Sequence, residues 1–253
     1  MPRLPRFFIS PEQITGQSIT ISGEDVRHIG TVLRMTLGEQ LVLCDGKGTE
    51  YVAAIVQLGR NELLTEIVSE SKRAIPSQRV TLGQGIPKFD KMDLIVQKSV
   101  ELGVSRILPL VTERTIVKLK DEEKRITRWQ KIAQEAAMQS NRVDVPVIGT
   151  IASFEDFLQT RKAELRTLHL LPWEEASEPI KNILHAEREA SDIVILIGPE
   201  GGFSAAEAEL AKSRGFHLVS LGPNILRTET AALAALSMIL YETMTKDQTS
   251  NPK

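Results

Sequence analysis

The sequence predicts an α/β protein, with a small β-rich module followed by a larger domain on a mainly parallel sheet. Three observations carry this. β-prone runs and a turn signal fill roughly the first seventy residues. A polar stretch containing Pro76, Ser69–Gln78, then reads as a linker. After it, apolar strands alternate with helical patterns over about 175 residues. The 253 residues are 42% hydrophobic and 25% charged, enough apolar material to offset the entropy of ordering the chain.

The elements follow in order. Arg6–Ile9 is apolar and β-prone, and Glu24–Leu33 places Val26, Ile29 and Leu33 on one face of a short helix. Leu41–Cys44 and Thr49–Leu58 flank Asp45-Gly46-Lys47-Gly48, a hairpin signal, and Leu63–Val68 is a further strand. Together these predict a barrel-like module over residues 1–73, with 74–253 as the second domain. There, Arg79–Ile86 is a strand. Lys88–Leu102 is an amphipathic helix presenting Met92, Ile95, Val96 and Val100. Ile107–Pro109 is a short strand, and Glu122–Ser140 is a long helix with Trp129 and Ala133 on its apolar side. Phe154–Glu164, Pro179–Ala190, Ala205–Arg214 and Thr228–Thr245 read as helices, and Thr167–Leu171 and His217–Leu221 as strands. Asp192–Ile197 is an almost unbroken apolar run, the pattern of a buried parallel strand.

Composition narrows the function classes. Lys plus Arg is 31 against 33 Asp plus Glu, so no bulk charge advertises nucleic acid. Residues 1–73 split 8 basic to 9 acidic and the remainder 23 to 24, so neither half is a basic module. The single cysteine, Cys44, excludes an intramolecular disulfide and fits a reducing cytoplasm. Four scattered histidines lack metal-ligand spacing, so no metal is expected. The N-terminal segment lacks the apolar core of a secretion signal, and Ala231–Tyr241 is too short to span a membrane.

Two loops concentrate the chemistry. Asp192–Ile197 runs into Gly198-Pro199-Glu200-Gly201-Gly202, and Ser204 stands three residues before Glu207, a capping box that starts the next helix. Glycines after a strand let a ligand approach backbone amides, and the carboxyl edge of an open α/β sheet is where ligands bind. The alternative is a tight turn using glycine for geometry alone. The second loop, Leu221–Leu226, follows the same logic, with Thr228 as a helix cap and Arg227 and Glu229 at the helix entrance. Those two charges either serve a site or pair with one another. No dinucleotide or P-loop glycine pattern occurs.

GPEGGF at 198–203 and LGPNILRTETAA at 221–232 resemble the signature of the RsmE family, a branch of the SPOUT RNA methyltransferases. MPRLPRFF, HIGTVLRMTLGE, KMDLIVQKSVELGVSRILPLVTERT and QEAAMQSNR agree in order along nearly the whole chain. The resemblance implies a PUA-like N-terminal β-barrel and a C-terminal α/β domain threaded as a trefoil knot. It also implies S-adenosylmethionine as cofactor, a homodimer formed through the C-terminal domain, and 16S rRNA as partner, methylated at N3 of one uridine. Another RNA site, tRNA included, and a non-catalytic RNA-binding or assembly factor are the alternatives.

On that reading Gly198, Pro199, Glu200, Gly201, Gly202, Leu221, Gly222, Ile225 and Leu226, with Leu171 beside them, form the cofactor site. Arg227 offsets charge on the uracil carbonyls, and Glu200 and Glu229 are either proton acceptors or loop-orienting groups. Arg3, Arg6, Arg27, Arg34, Arg114 and Arg142 are the candidate phosphate contacts, against a reading of each as ordinary surface charge.

Overall fold

The computed structural model describes residues 4–117, 121–160 and 166–249. They divide into two compact units, residues 1–75 with 137–145, and residues 76–136 with 146–253.

The first unit is a curled six-stranded sheet of order β1-β4-β5-β6-β3-β2. Its strands are β1 Arg6–Phe8, β2 Ile14–Thr15, β3 Ser18–Ser22, β4 Gln40–Cys44, β5 Thr49–Leu58 and β6 Glu62–Lys72. A short helix, α1 (Glu24–Arg27), continues as a wider turn over His28–Val32. Register shifts between β5 and β6, at Val52/Ala53 and Ile55/Gln57, supply bulges that bend the long ribbon. Ile19, Ile21, Leu41, Leu43, Ile55 and Leu63 point inward in period two and make the core. Two expectations need correction. The β2–β3 hairpin was missed, although Ile19 and Ile21 alternate with polar residues. The first part of the expected linker belongs to β6, where Ser69–Lys72 still pair with β5 but face solvent, so no apolar period marks them.

The second unit carries a seven-stranded parallel sheet of order β10-β8-β7-β12-β11-β13, with β9 also pairing β8. Its strands are β7 Arg79–Gly85, β8 Arg106–Val111, β9 Val147–Ile148, β10 Ala152–Ser153, β11 Thr167–Pro172, β12 Asp192–Ile197 and β13 His217–Val219. Helices α2 (Lys91–Glu101), α3 (Glu122–Gln139), α4 (Phe154–Thr160), α5 (Ile180–Ala186), α6 (Ala205–Ser213) and α7 (Thr228–Thr249) cross between or follow them. Ile193 to Ile197 of the central β12 are all buried. The chain order reverses between β7 and β12, so the carboxyl ends there form a topological switch point. α2 begins at Lys91 rather than Lys88, because Phe89 takes a left-handed φ of 57° and Asp90 becomes the cap. Among the described residues, no helix is long and apolar enough to cross a membrane.

Candidate functional site

A cleft of about 250 Å³ opens at the carboxyl ends of β11, β12 and β13. Both glycine loops line it. Gly198, Pro199, Glu200, Gly201 and Gly202 form one wall, and Leu221, Gly222, Ile225 and Leu226 another, with Ile197 at the base of the first loop. Pro172, Trp173, Glu174 and Glu175, at the end of β11, contribute the rest.

Glycine is required at two positions of the first loop. A Cβ on Gly198 would lie 2.8 Å from the Gly202 carbonyl carbon, so the loop folds onto itself only without one. Gly202 has φ of 66°, where an L side chain costs roughly 1–2 kcal/mol.

A buried polar network ties the two loops together. The Thr228 hydroxyl donates to the Gly198 carbonyl at 2.6 Å and accepts from Gln84 Nε2 at 2.9 Å. Gln84, wholly buried at the end of β7, also donates to the Gly85 carbonyl. Thr228 therefore does not cap its helix, as the sequence suggested, but joins the entrance of α7 to the loop after β12. The Ser204–Glu207 capping box forms as expected. Glu207 does more than cap, because Oε1 accepts the Glu113 amide at 2.9 Å and so fixes the loop after β8.

Charge in the cleft is asymmetric. Glu174, Glu175 and Glu200 line it against a single cation, Arg114, whose guanidinium donates to the Gly201 carbonyl at 2.6 Å. Arg114, expected to contact RNA, is exposed and also braces the first glycine loop. Burial alone would raise the Glu200 carboxyl. The amides of Glu200 and Lys88 and the Lys91 ammonium outweigh it and hold the group below its ordinary value of 4.5. Lys91 Nζ lies 3.3 Å from Glu200 Oε1 and 3.2 Å from Glu229 Oε2. Glu229 thus pairs with Lys91 rather than Arg227. Sequence reasoning assigned no role to Lys91, Gln84 and Trp173, which come from segments distant from the glycine loops; Lys91 opens the family-like segment KMDLIVQ, but its spacing gives no sign of its partners.

The other expected residues separate. Leu171 is completely buried in the core, so Pro172 and Trp173 line the cleft in its place. Arg227 is exposed between the cleft-lining Leu226 and Thr228, and its guanidinium has no partner among the described residues. Arg6 is not free for phosphate. Its guanidinium bonds Glu50 at 2.5 Å and Cys44 Sγ at 2.8 Å, and its side chain is only 10% exposed. Burial raises the Cys44 thiol to about 11 despite that neighbour. Arg142 is likewise held by Asp144 at 2.7 Å. Arg27 and Arg34 stand exposed on the first unit. Arg3 lies outside the described residues.

The cleft's chemistry suits a cationic nucleoside. Trp173 and Ile197 offer apolar walls. The backbone groups of Leu221, Ile225 and Leu226 make no hydrogen bond within the described residues and remain open to a ligand. The carboxylates favour positive charge. The second unit is a parallel sheet with glycine loops at its switch point, and the chain also holds a separate curled β unit, an arrangement consistent with a transferase that binds its cofactor at the sheet edge. In agreement, a family model described as RNA methyltransferase domain matches residues 74–240, and one described as RNA methyltransferase PUA domain matches 21–68.

The chain belongs to the ribosomal RNA small subunit methyltransferase E family, in the SPOUT class. It is 35% identical over 255 residues to the Bacillus subtilis member, covering 95% of this chain and 97% of that protein. The Rickettsia conorii member is 31% identical over 236 residues, covering 92% and 94%. The crystal structure of the Neisseria gonorrhoeae member bound to S-adenosyl methionine superposes with a TM-score of 0.86 at 35% identity, covering 94% of this chain and 98% of that one.

Proposed function

We propose that the protein transfers a methyl group from S-adenosylmethionine to N3 of one uridine in 16S rRNA of the small ribosomal subunit, in the cytoplasm, as a homodimer. The observation that carries this is one cleft bounded by both glycine loops, with an unpaired arginine at its edge. When bound, S-adenosylmethionine supplies an electrophilic methyl group on a sulfonium centre.

The protein's own residues do the rest. Leu221, Ile225 and Leu226 offer backbone groups to the adenosine, while Trp173 and Ile197 exclude water. Glu174 and Glu175 favour the cationic part of the ligand. N3 must lose its proton, and negative charge then develops on the two flanking carbonyl oxygens. Arg227, whose guanidinium has no partner among the described residues, is the group that meets it. Arg27 and Arg34 grip phosphate from the first unit. Exposed Phe89, Leu94 and Tyr241, near or on the mutually packed α2 and α7, support a dimer through the second unit.

Mass spectrometric mapping of methyluridines in 16S rRNA, in a strain lacking the gene and after complementation, tests the assignment. One 3-methyluridine should disappear and return; an unchanged pattern refutes it. Sedimentation of the purified protein tests the dimer.

A further inference from the structure

Lys91 sits at the start of α2, outside both glycine loops, yet both converge on it. Its ammonium pairs with Glu200, in the loop after β12, and with Glu229, in the first turn of α7. The three side chains are 27%, 30% and 17% exposed, so the cluster is partly shielded from solvent. The Lys88 amide approaches the Glu200 carboxylate at 3.0 and 3.3 Å, so the segment entering α2 holds Glu200 at a second point. No other cation among the described residues pairs with either carboxylate.

The loops are thus joined twice. The neutral, buried tie runs from Gly198 through Thr228 to Gln84. The charged tie runs from Glu200 through Lys91 to Glu229. A loop anchored at one point can still pivot, whereas two anchors fix its orientation. Both carboxylates need the ammonium between them, because two unbridged carboxylates repel. A carboxylate already holding an ammonium is also a poorer proton acceptor than a free one.

We propose that Lys91 is a positioning residue that latches the two cofactor loops at their working separation, with Glu200 and Glu229 as its anchors rather than as proton acceptors. This rests on the reading of the cleft as the S-adenosylmethionine site.

The test uses the full-length protein as wild type, K91M, K91R, E200Q, E229Q and the K91M/E200Q double variant. Calorimetry gives the Kd for S-adenosylmethionine, steady-state kinetics on small subunits give KM and kcat, and melting without ligand reports the fold. K91M should raise Kd and KM for S-adenosylmethionine about tenfold, lower kcat by less than about threefold, and lower the ligand-free melting temperature by no more than a few degrees, the loss of partly exposed ion pairs. K91R should restore most of the affinity, since a cation is kept. The double variant should be no worse than K91M alone, because both substitutions open one latch.

Wild-type affinity in K91M overturns the proposal. So does an E200Q or E229Q variant that keeps its Kd but loses kcat together with the acidic limb of its pH profile, since that identifies a base. Should K91M not fold, E200Q carries the same prediction for Kd and KM. A wild type that fails to bind S-adenosylmethionine overturns the reading of the cleft itself and this proposal with it. A wild type that binds while the variants match it overturns the latch alone.

Discussion

Arginines of similar appearance in the sequence have different fates, set by what each one touches. Arg227 is exposed, with no side-chain partner among the described residues. Arg227→Ala should therefore preserve folding and S-adenosylmethionine affinity while lowering kcat roughly 100-fold or more, the scale of losing one charge-stabilising donor. Turnover with saturating cofactor checks this, and unchanged turnover removes Arg227 from the mechanism. Arg6 is the opposite case, with its guanidinium buried against Glu50 and Cys44. Arg6→Ala leaves Glu50 with only the more exposed Arg73 as partner and should destabilise the first unit by about 1–3 kcal/mol, read by denaturant unfolding. Arg27→Ala should leave that stability unchanged and weaken RNA binding. Motif reading listed these arginines together because charge and position along the chain do not report burial.

At the scale of elements, the strand-to-helix joints carry the function. Gly202 turns with φ of 66° just ahead of the capping box of α6. Gly202→Val should strain the loop by roughly 1–2 kcal/mol and weaken S-adenosylmethionine binding, measured by calorimetry. The ion pairs that Lys91 of α2 makes with Glu200 in the loop after β12 and with Glu229 of α7 also set a pH dependence. Glu200 is depressed below 4.5, so its contribution is complete above that value and is lost as pH falls through the folded pKa. Lys91 is raised above 10.5 because its carboxylate partners outweigh desolvation, so its contribution is complete below 10.5 and is lost as pH rises through the folded pKa. The stability difference between wild type and E200Q should accordingly be constant between these limits and shrink as pH falls below 4.5. Thermal melting across pH reads this directly.

At the scale of the whole molecule, the near-equality of 31 basic and 33 acidic residues takes on a definite meaning. Several arginines are engaged internally, by Glu50, by Asp144 and by the Gly201 carbonyl. On the proposed function, RNA is met by placed, exposed cations such as Arg27 and Arg34 rather than by bulk positive charge, which would limit non-specific, salt-sensitive binding. Ligand binding to the second unit should also register globally. S-adenosylmethionine at a hundred times its Kd adds about 2.7 kcal/mol to the folded state. The melting temperature should rise by several degrees, and no shift at saturation would favour a non-catalytic binding protein.

The sequence by itself determined the strand and helix order of the second unit apart from the two-residue strands β9 and β10, the capping box at Ser204, and both glycine loops. Each is encoded locally, in apolar period, in cap chemistry, or in residues that free the backbone. It did not expose the β2–β3 hairpin or the end of β6, where strands are short or solvent-facing and the apolar period fades. Only the tertiary structure decided which residues meet. Lys91 and Gln84 reach the loops around the cleft from α2 and β7, more than a hundred residues before the loops they hold. Leu171 falls to the core and Trp173 to the cleft within the same short segment. Such assignments depend on the order in which parallel strands assemble, a long-range property that no local pattern contains.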